Sequence, residues 1–263
     1  MQKRIKITNS NASIIQRSSG QKGILTQNAD NQIRRIPSLE AASTRYVNNA
    51  SYGLRQRQAM IDELQSLGIR DERVLQAMKT IPRHLFVSQF LQKEAYKNRN
   101  LPIGYDQTIS QPYVVAKMIE LIAQARRDKV LEIGTGCGYQ AAVLGKVFKQ
   151  VVSIERIEAL YNESSRRLKA LNLDVNVTIK YGDGMLGCEQ YAPYDAIILA
   201  AAGIKIPSVL LNQMAVGGCL IAPVGDQDKQ CLVWVKRISE TEWTQEKRED
   251  VFFVPLLSGL QSI

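Results

Sequence analysis

Apolar and polar positions follow two different periods along most of the chain. From residue 129 onward, short apolar runs rich in β-branched residues alternate with stretches in which apolar positions recur at helical spacing. The short runs predict strands over residues 129–133, 151–154, 177–181, 196–199, 219–224, 231–236 and 251–254. Strands separated by helices are typical of a parallel sheet, and the closely spaced last strands indicate an antiparallel edge. The sequence therefore predicts an α/β fold with a doubly wound, mostly parallel sheet.

The helical patterns begin and end at recognisable residues. They predict helices over residues 56–67, 72–79, 114–123, 139–148 and 157–171. Gly68 suits a left-handed stop after the first helix, and Asp71 suits the N-cap of the second. The first two helices predict a short N-terminal helical cap, at about residues 53–112, on a main domain that spans residues 53–263.

The first 52 residues have a different composition. They are rich in Asn, Gln, Ser and Arg, with only scattered Ile and Leu, so they bury too little apolar area to offset the entropy of ordering. We therefore predict a flexible extension over residues 1–52. The net charge of the chain is +9, and residues 1–57 alone hold ten basic and two acidic residues. Because nearly all of the excess charge lies in residues 1–57, it is weak evidence for a nucleic-acid partner of the main domain.

The compartment is predicted from what the sequence lacks. No apolar run approaches the length of about 18 residues that a membrane helix requires, and the N-terminus lacks the apolar stretch of a signal peptide. The four cysteines are widely spaced, so neither a disulfide framework nor a metal site is expected. We expect a cytoplasmic protein with reduced thiols and no membrane partner.

A glycine-rich turn follows the first strand of the main domain. Gly134, Gly136 and Gly138 stand in a GxGxG spacing and lead into the next helix. Glycines there permit a sharp turn and let a ligand approach the backbone closely. Glu155 ends the second strand, 21 positions after Gly134, where doubly wound folds present an acid to ribose hydroxyls. Asp183 ends the third strand, from which a carboxylate can reach the exocyclic amine of an adenine.

The spacing of the turn favours one adenosyl ligand over another. Dinucleotide-binding turns usually read GxGxxG, and here the third glycine comes one residue earlier. Glu132 precedes the first glycine by two positions, where a carboxylate would repel a pyrophosphate but could hold the amino group of a methionine moiety. These features favour S-adenosylmethionine over NAD.

The segment before the helix at 114–123 offers a candidate acceptor site. Ser110 is predicted to cap this helix, with Pro112 in its first turn. A helix N-terminus with a hydroxyl and free backbone N–H groups also suits an anionic substrate such as a carboxylate. Both interpretations remain open on these residues alone.

The sequence resembles the protein-L-isoaspartate O-methyltransferases over about residues 55–260. The resemblance is carried by L-P-I-G-Y-D-Q-T-I-S-Q-P-Y at 101–113, V-L-E-I-G-T-G-C-G-Y-Q at 130–140, S-I-E-R-I at 153–157, G-D-G at 182–184 and F-V-P-L at 253–256. Also similar are I-P-R-H-L-F-V at 81–87 and V-G-G-C-L-I-A-P-V-G at 216–225.

This resemblance implies a Rossmann-like methyltransferase fold with S-adenosylmethionine as cofactor. It implies methyl transfer to the free α-carboxylate of L-isoaspartyl residues in damaged proteins and peptides, after which the ester collapses to a succinimide and begins repair. By motif position it makes Ser110 the active-site serine, while Thr108 and Ile109 line the acceptor pocket. The same correspondence assigns cofactor binding to Gly134, Gly136, Gly138, Glu155 and Asp183.

Two positions depart from the family pattern. Asp106 stands where members usually have Gly, and Gly203 stands where a strand-end Pro is usual. An additional carboxylate could weaken binding of an anionic substrate if it pointed inward. Gly203 is expected to loosen a loop that proline would stiffen. His84, the only histidine, is predicted to be packed or hydrogen-bonded and not catalytic.

Two other functions remain as alternatives. One is a nucleic-acid methyltransferase that uses the basic N-terminal arm for phosphate contacts. The other is a non-catalytic adenosyl-binding protein that acts through the arm as an interaction module. The expected partners are isoaspartyl proteins and peptides, with nucleic acid disfavoured, and the expected state is a monomer.

Overall fold

The computed structural model describes residues 3–6, 53–124 and 128–262. Its ten strands, numbered in chain order, are β1 (Lys3–Lys6), β2 (Leu101–Gly104), β3 (Gln107–Ile109), β4 (Lys129–Ile133), β5 (Gln150–Glu155), β6 (Val177–Tyr181), β7 (Tyr194–Leu199), β8 (Met214–Gly225), β9 (Gln230–Arg237) and β10 (Glu242–Val251). Within these described ranges, eight strands form one sheet in the order β6-β5-β4-β7-β8-β9-β10-β1. The strands from β6 to β8 are parallel, and the β8-β9-β10-β1 edge is antiparallel. The predicted doubly wound sheet with an antiparallel edge is confirmed.

Six α-helices accompany the sheet in the described part of the chain. They are α1 (Leu54–Ser66), α2 (Glu72–Thr80), α3 (Pro112–Ile122), α4 (Tyr139–Val147), α5 (Glu158–Ala170) and α6 (Ser208–Asn212). Short 3₁₀ helices cover Arg83–Phe86, Gln89–Glu94, Gly184–Leu186 and Glu189–Tyr191. The five predicted helices are confirmed, with ends that differ by one or two residues. Gly68 ends the first helix with φ of 95°, and the Asp71 side chain accepts from the backbone N–H of Arg73 as predicted.

Successive residues of the central strands pack on opposite faces of the sheet. Val130 and Ile198 belong to an apolar cluster with the helices of one face, whereas Leu131, Ile133 and Ile197 belong to a second cluster on the other face. All five side chains are buried. A strand covered on both faces needs apolar residues at every position, which explains why these strands are continuous apolar runs in the sequence. Among the described residues, no helix has the length and apolar character to cross a bilayer.

The edge of the sheet differs from the sequence prediction. The last strand was predicted at residues 251–254, but β10 covers Glu242–Val251, and residues 252–254 follow it outside any strand. Most side chains of β10 are exposed or half-buried, so an edge strand of this kind carries little apolar pattern. Strand β1 pairs with β10 and lies within the segment for which an extension was predicted. Residues 7–52 of that segment lie outside the described residues.

The N-terminal cap buries the only histidine. His84 is 1% exposed, and its Nδ1 lies 2.7 Å from the hydroxyl oxygen of Tyr96. Burial, with a further contribution from the positive charge of Arg57, lowers the pKa of His84 to about 4. The predicted packed and hydrogen-bonded role is confirmed.

A hairpin that the sequence prediction missed contains strained backbone. Strands β2 and β3 pair in antiparallel fashion, and the two residues between Gly104 and Gln107 are Tyr105 and Asp106, each with φ of 55°. Two-residue hairpin turns with positive φ at both positions favour Asn, Asp or Gly at the first position and Gly at the second, because other side chains crowd the backbone there. Asp106 is exposed at the tip of this turn.

Asp106→Gly is therefore expected to raise the free energy of unfolding by about 0.5–1 kcal/mol, because glycine adopts positive φ without steric cost. Urea denaturation of both proteins measures the difference. Asp174→Gly is the matched control, since Asp174 is also an exposed loop aspartate but lacks a positive φ. The control should be neutral or destabilising, and an equal gain in both variants would contradict the strain argument.

Candidate active site

A cleft of about 870 Å³, counted to its open mouth, lies at the carboxyl ends of the central strands. The chain runs outward from β4 through β5 to β6 and then returns to the other side of β4 at β7. Ligands of doubly wound sheets bind where the strand order reverses in this way. The cleft is lined by three groups of residues: the acceptor segment 107–110 with Val115 of α3, the turn and strand ends at 133–137, 139–140, 154–157, 184 and 200–201, and the C-terminal segment 254–257.

The glycine turn forms the floor of this cleft. Gly134, Gly136 and Gly138 all have positive φ, at 93°, 54° and 88°. A Cβ on Gly136 would lie 3.2 Å from Cδ1 of Ile103, a residue of the β2–β3 hairpin. The hairpin therefore packs directly against the turn. Gly134 and Gly136 line the cleft, whereas Gly138 lies behind it at the start of α4.

Glu155 joins the turn to the neighbouring strand. Its side chain is 4% exposed and lines the cleft. Oε2 accepts from the backbone N–H of Gly136 at 2.7 Å, and Oε1 accepts from that of Ile157 at 2.9 Å. Burial raises the pKa of Glu155, which these backbone donors partly oppose. Each carboxylate oxygen retains a second lone pair, so the group can still accept from ribose hydroxyls.

Glu132 does not line the cleft, although the sequence analysis placed it on the methionine moiety. It lies on the same face of β4 as Val130 and is fully buried, whereas the next residue, Ile133, reaches the cleft. Oε2 of Glu132 accepts from the Ser153 hydroxyl, which lies 2.5 Å from the hydroxyl of Thr135. Burial raises the pKa of Glu132 to about 8. Glu132 thus supports the glycine turn from below through Ser153 and Thr135.

Asp183 is engaged by the C-terminal tail. Oδ1 accepts from the backbone N–H of Met185 at 2.9 Å, and Oδ2 accepts from that of Gly259 at 2.7 Å. The adjacent Gly184 lines the cleft, but Asp183 does not. A second pair of contacts holds the same tail, since Arg156 donates to the Gly259 carbonyl at 2.9 Å and to Oε1 of Gln261 at 3.1 Å. The tail therefore crosses the strand ends beside the cleft.

The acceptor segment enters the cleft as predicted. Thr108, Ile109 and Ser110 all line it, with Ile109 buried and Ser110 half-buried. These residues follow one another from β3 toward α3, opposite the glycine turn. The structure thus brings the two predicted half-sites together.

Ser110 does not cap helix α3, contrary to the sequence prediction. Gln111 holds the N-cap position, and no side chain of the helix start caps it. Instead, Oδ1 of Asn100 accepts from the Gln111 N–H at 2.8 Å, and Oδ1 of Asn98 accepts from the Tyr113 N–H at 3.0 Å. Because these donors are already bonded, the helix start is not the open anion site that the sequence suggested.

The structure also shows where Asp106 and Gly203, the two departures from the family pattern, lie relative to the cleft. Asp106 is exposed and does not line the cleft, so its charge does not point into the acceptor site. Gly203 is not loose, because its N–H donates to the Pro223 carbonyl at 3.3 Å and its carbonyl accepts from Gly225 at 3.0 Å. A proline at 203 would lose the first of these bonds.

Several lining residues were missed by reasoning from the sequence. Tyr139 and Gln140 begin helix α4 beside the turn, and residues 254–257 cover the opposite wall. Two backbone hydrogen bonds hold the C-terminal segment to Ala202: the Ala202 N–H donates to the Val254 carbonyl, and the Leu256 N–H donates to the Ala202 carbonyl. In the sequence, this segment was marked only by the F-V-P-L motif of the family resemblance, to which no role was assigned.

A doubly wound sheet with a GxGxG turn and a buried acid at the end of the second strand defines a Rossmann-like, S-adenosylmethionine-dependent methyltransferase. Residues 55–261 match the family model described as protein-L-isoaspartate(D-aspartate) O-methyltransferase. The chain therefore belongs to this O-methyltransferase family.

Individual relatives agree with that assignment. The chain is 51% identical over 209 residues to a protein-L-isoaspartate O-methyltransferase of Bordetella parapertussis, covering 79% of this chain and 80% of that protein. It is 50% identical over 208 residues to one from Burkholderia pseudomallei, covering 78% of this chain and 64% of that protein. A solved structure named protein-L-isoaspartate O-methyltransferase aligns with a TM-score of 0.71 at 26% identity, covering 78% of this chain and 67% of that one.

The buried Glu132 carboxyl leads to a prediction about pH. Because its folded pKa is raised from 4.5 to about 8, its protonated form stabilises the fold, and that contribution is lost as pH rises from 4.5 through 8. Glu132→Gln cannot lose a proton. The difference in free energy of unfolding, Glu132→Gln minus native protein, should therefore rise by about 3 kcal/mol between pH 5 and pH 7.5.

Urea denaturation at the two pH values checks this expectation. Glu240→Gln, which changes an exposed turn residue, is the matched control and should follow the native protein at both pH values. Parallel pH profiles for Glu132→Gln and the native protein would show that Glu132 is ionised in the fold throughout this range.

Proposed function

We propose that this chain uses the cleft to transfer a methyl group from S-adenosylmethionine to the free α-carboxylate of L-isoaspartyl residues in damaged proteins and peptides, which initiates repair through a succinimide. The observation that carries the proposal is that the segment Thr108, Ile109 and Ser110 faces the glycine turn and Glu155 across one cleft. Family membership supports the same acceptor.

The residues on the cofactor side fit an adenosyl ligand. The floor of the cleft at Gly134 and Gly136 has no side chains, and a Cβ at Gly136 would already crowd Ile103. Glu155 is held in place by two backbone donors and keeps lone pairs for ribose hydroxyls. When bound, S-adenosylmethionine supplies a methyl group on a positively charged sulfur. A contact between Asp183 and the adenine stays a prediction, because that carboxylate bonds to Met185 and Gly259.

The acceptor chemistry needs no general base. A peptide α-carboxylate with a pKa of about 3.5 is ionised at neutral pH and is already a nucleophile. The titratable groups near the acceptor segment agree with this, because burial raises the pKa of Tyr139 to about 12 and also raises that of the Cys137 thiol. Both groups are therefore neutral at pH 7 and do not repel an anionic substrate. The neutral His84 lies outside the cleft.

We assign Ser110 to orient the substrate carboxylate and not to act as a covalent nucleophile. A serine hydroxyl can donate to one carboxylate oxygen while the other oxygen faces the methyl group. Ile109 and Val115 give this end of the cleft an apolar wall, which limits the access of water. Alignment and partial desolvation then supply most of the acceleration.

The working environment of the enzyme is also a proposal. All four cysteines, which lie in the described part of the chain, are free thiols, as is usual for proteins of a reducing cytoplasm. We propose that the enzyme acts there as a monomer without membrane or nucleic-acid partners. Light scattering during gel filtration measures the mass and tests the monomer.

Labelled S-adenosylmethionine tests the acceptor directly. The protein is offered an isoaspartyl peptide, its aspartyl isomer and bulk RNA. We expect base-labile label on the isoaspartyl peptide alone, because a methyl ester hydrolyses in base. Label on RNA would instead support a nucleic-acid methyltransferase, and no transfer to any of the three would contradict enzymatic methyl transfer to these acceptors.

Ser110→Ala should lower kcat/KM on the isoaspartyl peptide about 10- to 100-fold, because a hydrogen bond to a charged group contributes about 1.5–3 kcal/mol. Ser208→Ala is the control, since Ser208 is exposed at the start of α6 and away from the cleft. Full activity of Ser110→Ala would contradict the proposal that Ser110 orients the substrate carboxylate.

A further inference from the structure

Arg83 is a fully buried cation in the N-terminal cap. It is 0% exposed. Its Nε donates to the carbonyl of Ala95 at 2.7 Å, and one terminal nitrogen, Nη2, donates to the carbonyl of Ser110 at 2.6 Å. The guanidinium carbon lies 4.7 Å from the centroid of the Tyr139 ring. Arg83 thus contacts two residues that line the cleft without lining it itself.

The burial of this cation is costly. Among the described residues, no carboxylate forms an ion pair with Arg83, and its Nη1 has no hydrogen-bond partner. A buried charge without an opposite charge destabilises a fold, and an apolar side chain of similar volume would fill the space without that penalty. Packing alone therefore does not account for an arginine at this position.

The contacts of Arg83 converge on backbone that no sheet ladder fixes. Ser110 lies between the end of β3 and the start of α3, so its peptide plane depends on side-chain bonds. Arg83 bonds the Ser110 carbonyl, and Asn100 bonds the following N–H, so the two side chains together fix the Ser110–Gln111 peptide. The same guanidinium stacks on Tyr139, the first residue of the helix that begins at the glycine turn. A single group therefore connects the acceptor segment to the cofactor side of the cleft.

We infer that Arg83 is a positioning residue for methyl transfer, which fixes Ser110 relative to Tyr139 and so sets the distance from the acceptor carboxylate to the methyl donor. The inference rests on the proposed function, because its main measurement is methylation of an isoaspartyl peptide. Arg83 acts through Ser110 and Tyr139 and does not itself touch the substrate. Its loss should therefore reduce kcat more than it affects binding of the cofactor.

Arg57 supplies a matched control within the same cap. It is 8% exposed, lies 5.7 Å from the centroid of the Tyr96 ring and donates to the Lys79 carbonyl at 3.2 Å. It therefore shares the burial, the ring contact and the carbonyl bond of Arg83. Its partners, however, do not line the cleft. Any effect of removing a buried arginine as such should appear equally at Arg57.

The experiment compares Arg83→Met and Arg83→Lys with Arg57→Met and Arg57→Lys. For each full-length variant we would measure kcat and KM on an isoaspartyl peptide, the Kd for S-adenosylhomocysteine, and the melting temperature, with kinetics well below the lowest melting temperature. Arg83→Met should lose about 10- to 100-fold in kcat, the size of effect that a misplacement of about 1 Å produces. The Kd should change less than about threefold, which is under 0.7 kcal/mol. Arg83→Lys should be intermediate, because an ammonium reaches one carbonyl but lacks the planar fork.

The outcomes separate the inference from the function on which it rests. Native protein that fails to methylate the isoaspartyl peptide overturns the proposed function and, with it, this inference. Active native protein with an Arg83→Met variant that keeps kcat within threefold or, where that variant does not fold, with an Arg83→Lys variant that has the kcat of the native protein, overturns the inference alone. Equal losses in kcat at Arg57 and Arg83 also overturn it, because they indicate general destabilisation of the cap. Arg83→Lys decides the question if Arg83→Met does not fold.

Discussion

The hydrogen bond from the Gly136 N–H to the Glu155 carboxylate, 2.7 Å long, is the contact on which the cofactor side of the cleft depends. It joins the turn after β4 to the end of β5 at the place where the strand order reverses. For this bond to form, the backbone of Gly136 must approach the end of β5 closely, and the Glu155 side chain must be buried. A buried carboxylate is costly unless hydrogen bonds satisfy it, and the N–H of Ile157 provides the second. The arrangement leaves an ordered carboxyl group that keeps lone pairs for a ligand in the cleft.

Three segments distant from this contact in the sequence complete the cleft. The β2–β3 hairpin places Ile103 against the turn, the cap holds Ser110 through Arg83, and the C-terminal tail covers the strand ends through Asp183 and Arg156. None of them contributes a general base. Methylation of a carboxylate requires positioning of the substrate and exclusion of water more than proton transfer. The contacts of these three segments serve positioning and water exclusion.

Most of the fold and much of the candidate site could be predicted from the sequence. Local periods located the helices and the central strands, because fully buried strands are continuous apolar runs and helices repeat at 3.6 residues. Gly134, Gly136, Glu155 and residues 108–110 were also found and do line the cleft. Each was visible because its position is defined by the turn or the strand end next to it in the chain. The edge strand β10 was not predicted at its observed position, because a half-exposed polar strand lacks the continuous apolar run of a buried strand.

The sequence by itself determined the main helices and the central strands, and which of those strands end at the cleft. Only the tertiary structure decided where individual polar side chains point: Glu132 beneath the turn, Asp183 onto Gly259, and the asparagines 98 and 100 at the start of α3 in place of Ser110. These choices depend on partners 11 to 76 residues away in the sequence, from Asn100 with Gln111 to Asp183 with Gly259. Local patterns encode the backbone, whereas a polar group in the interior goes to whichever donor or acceptor packing brings within reach.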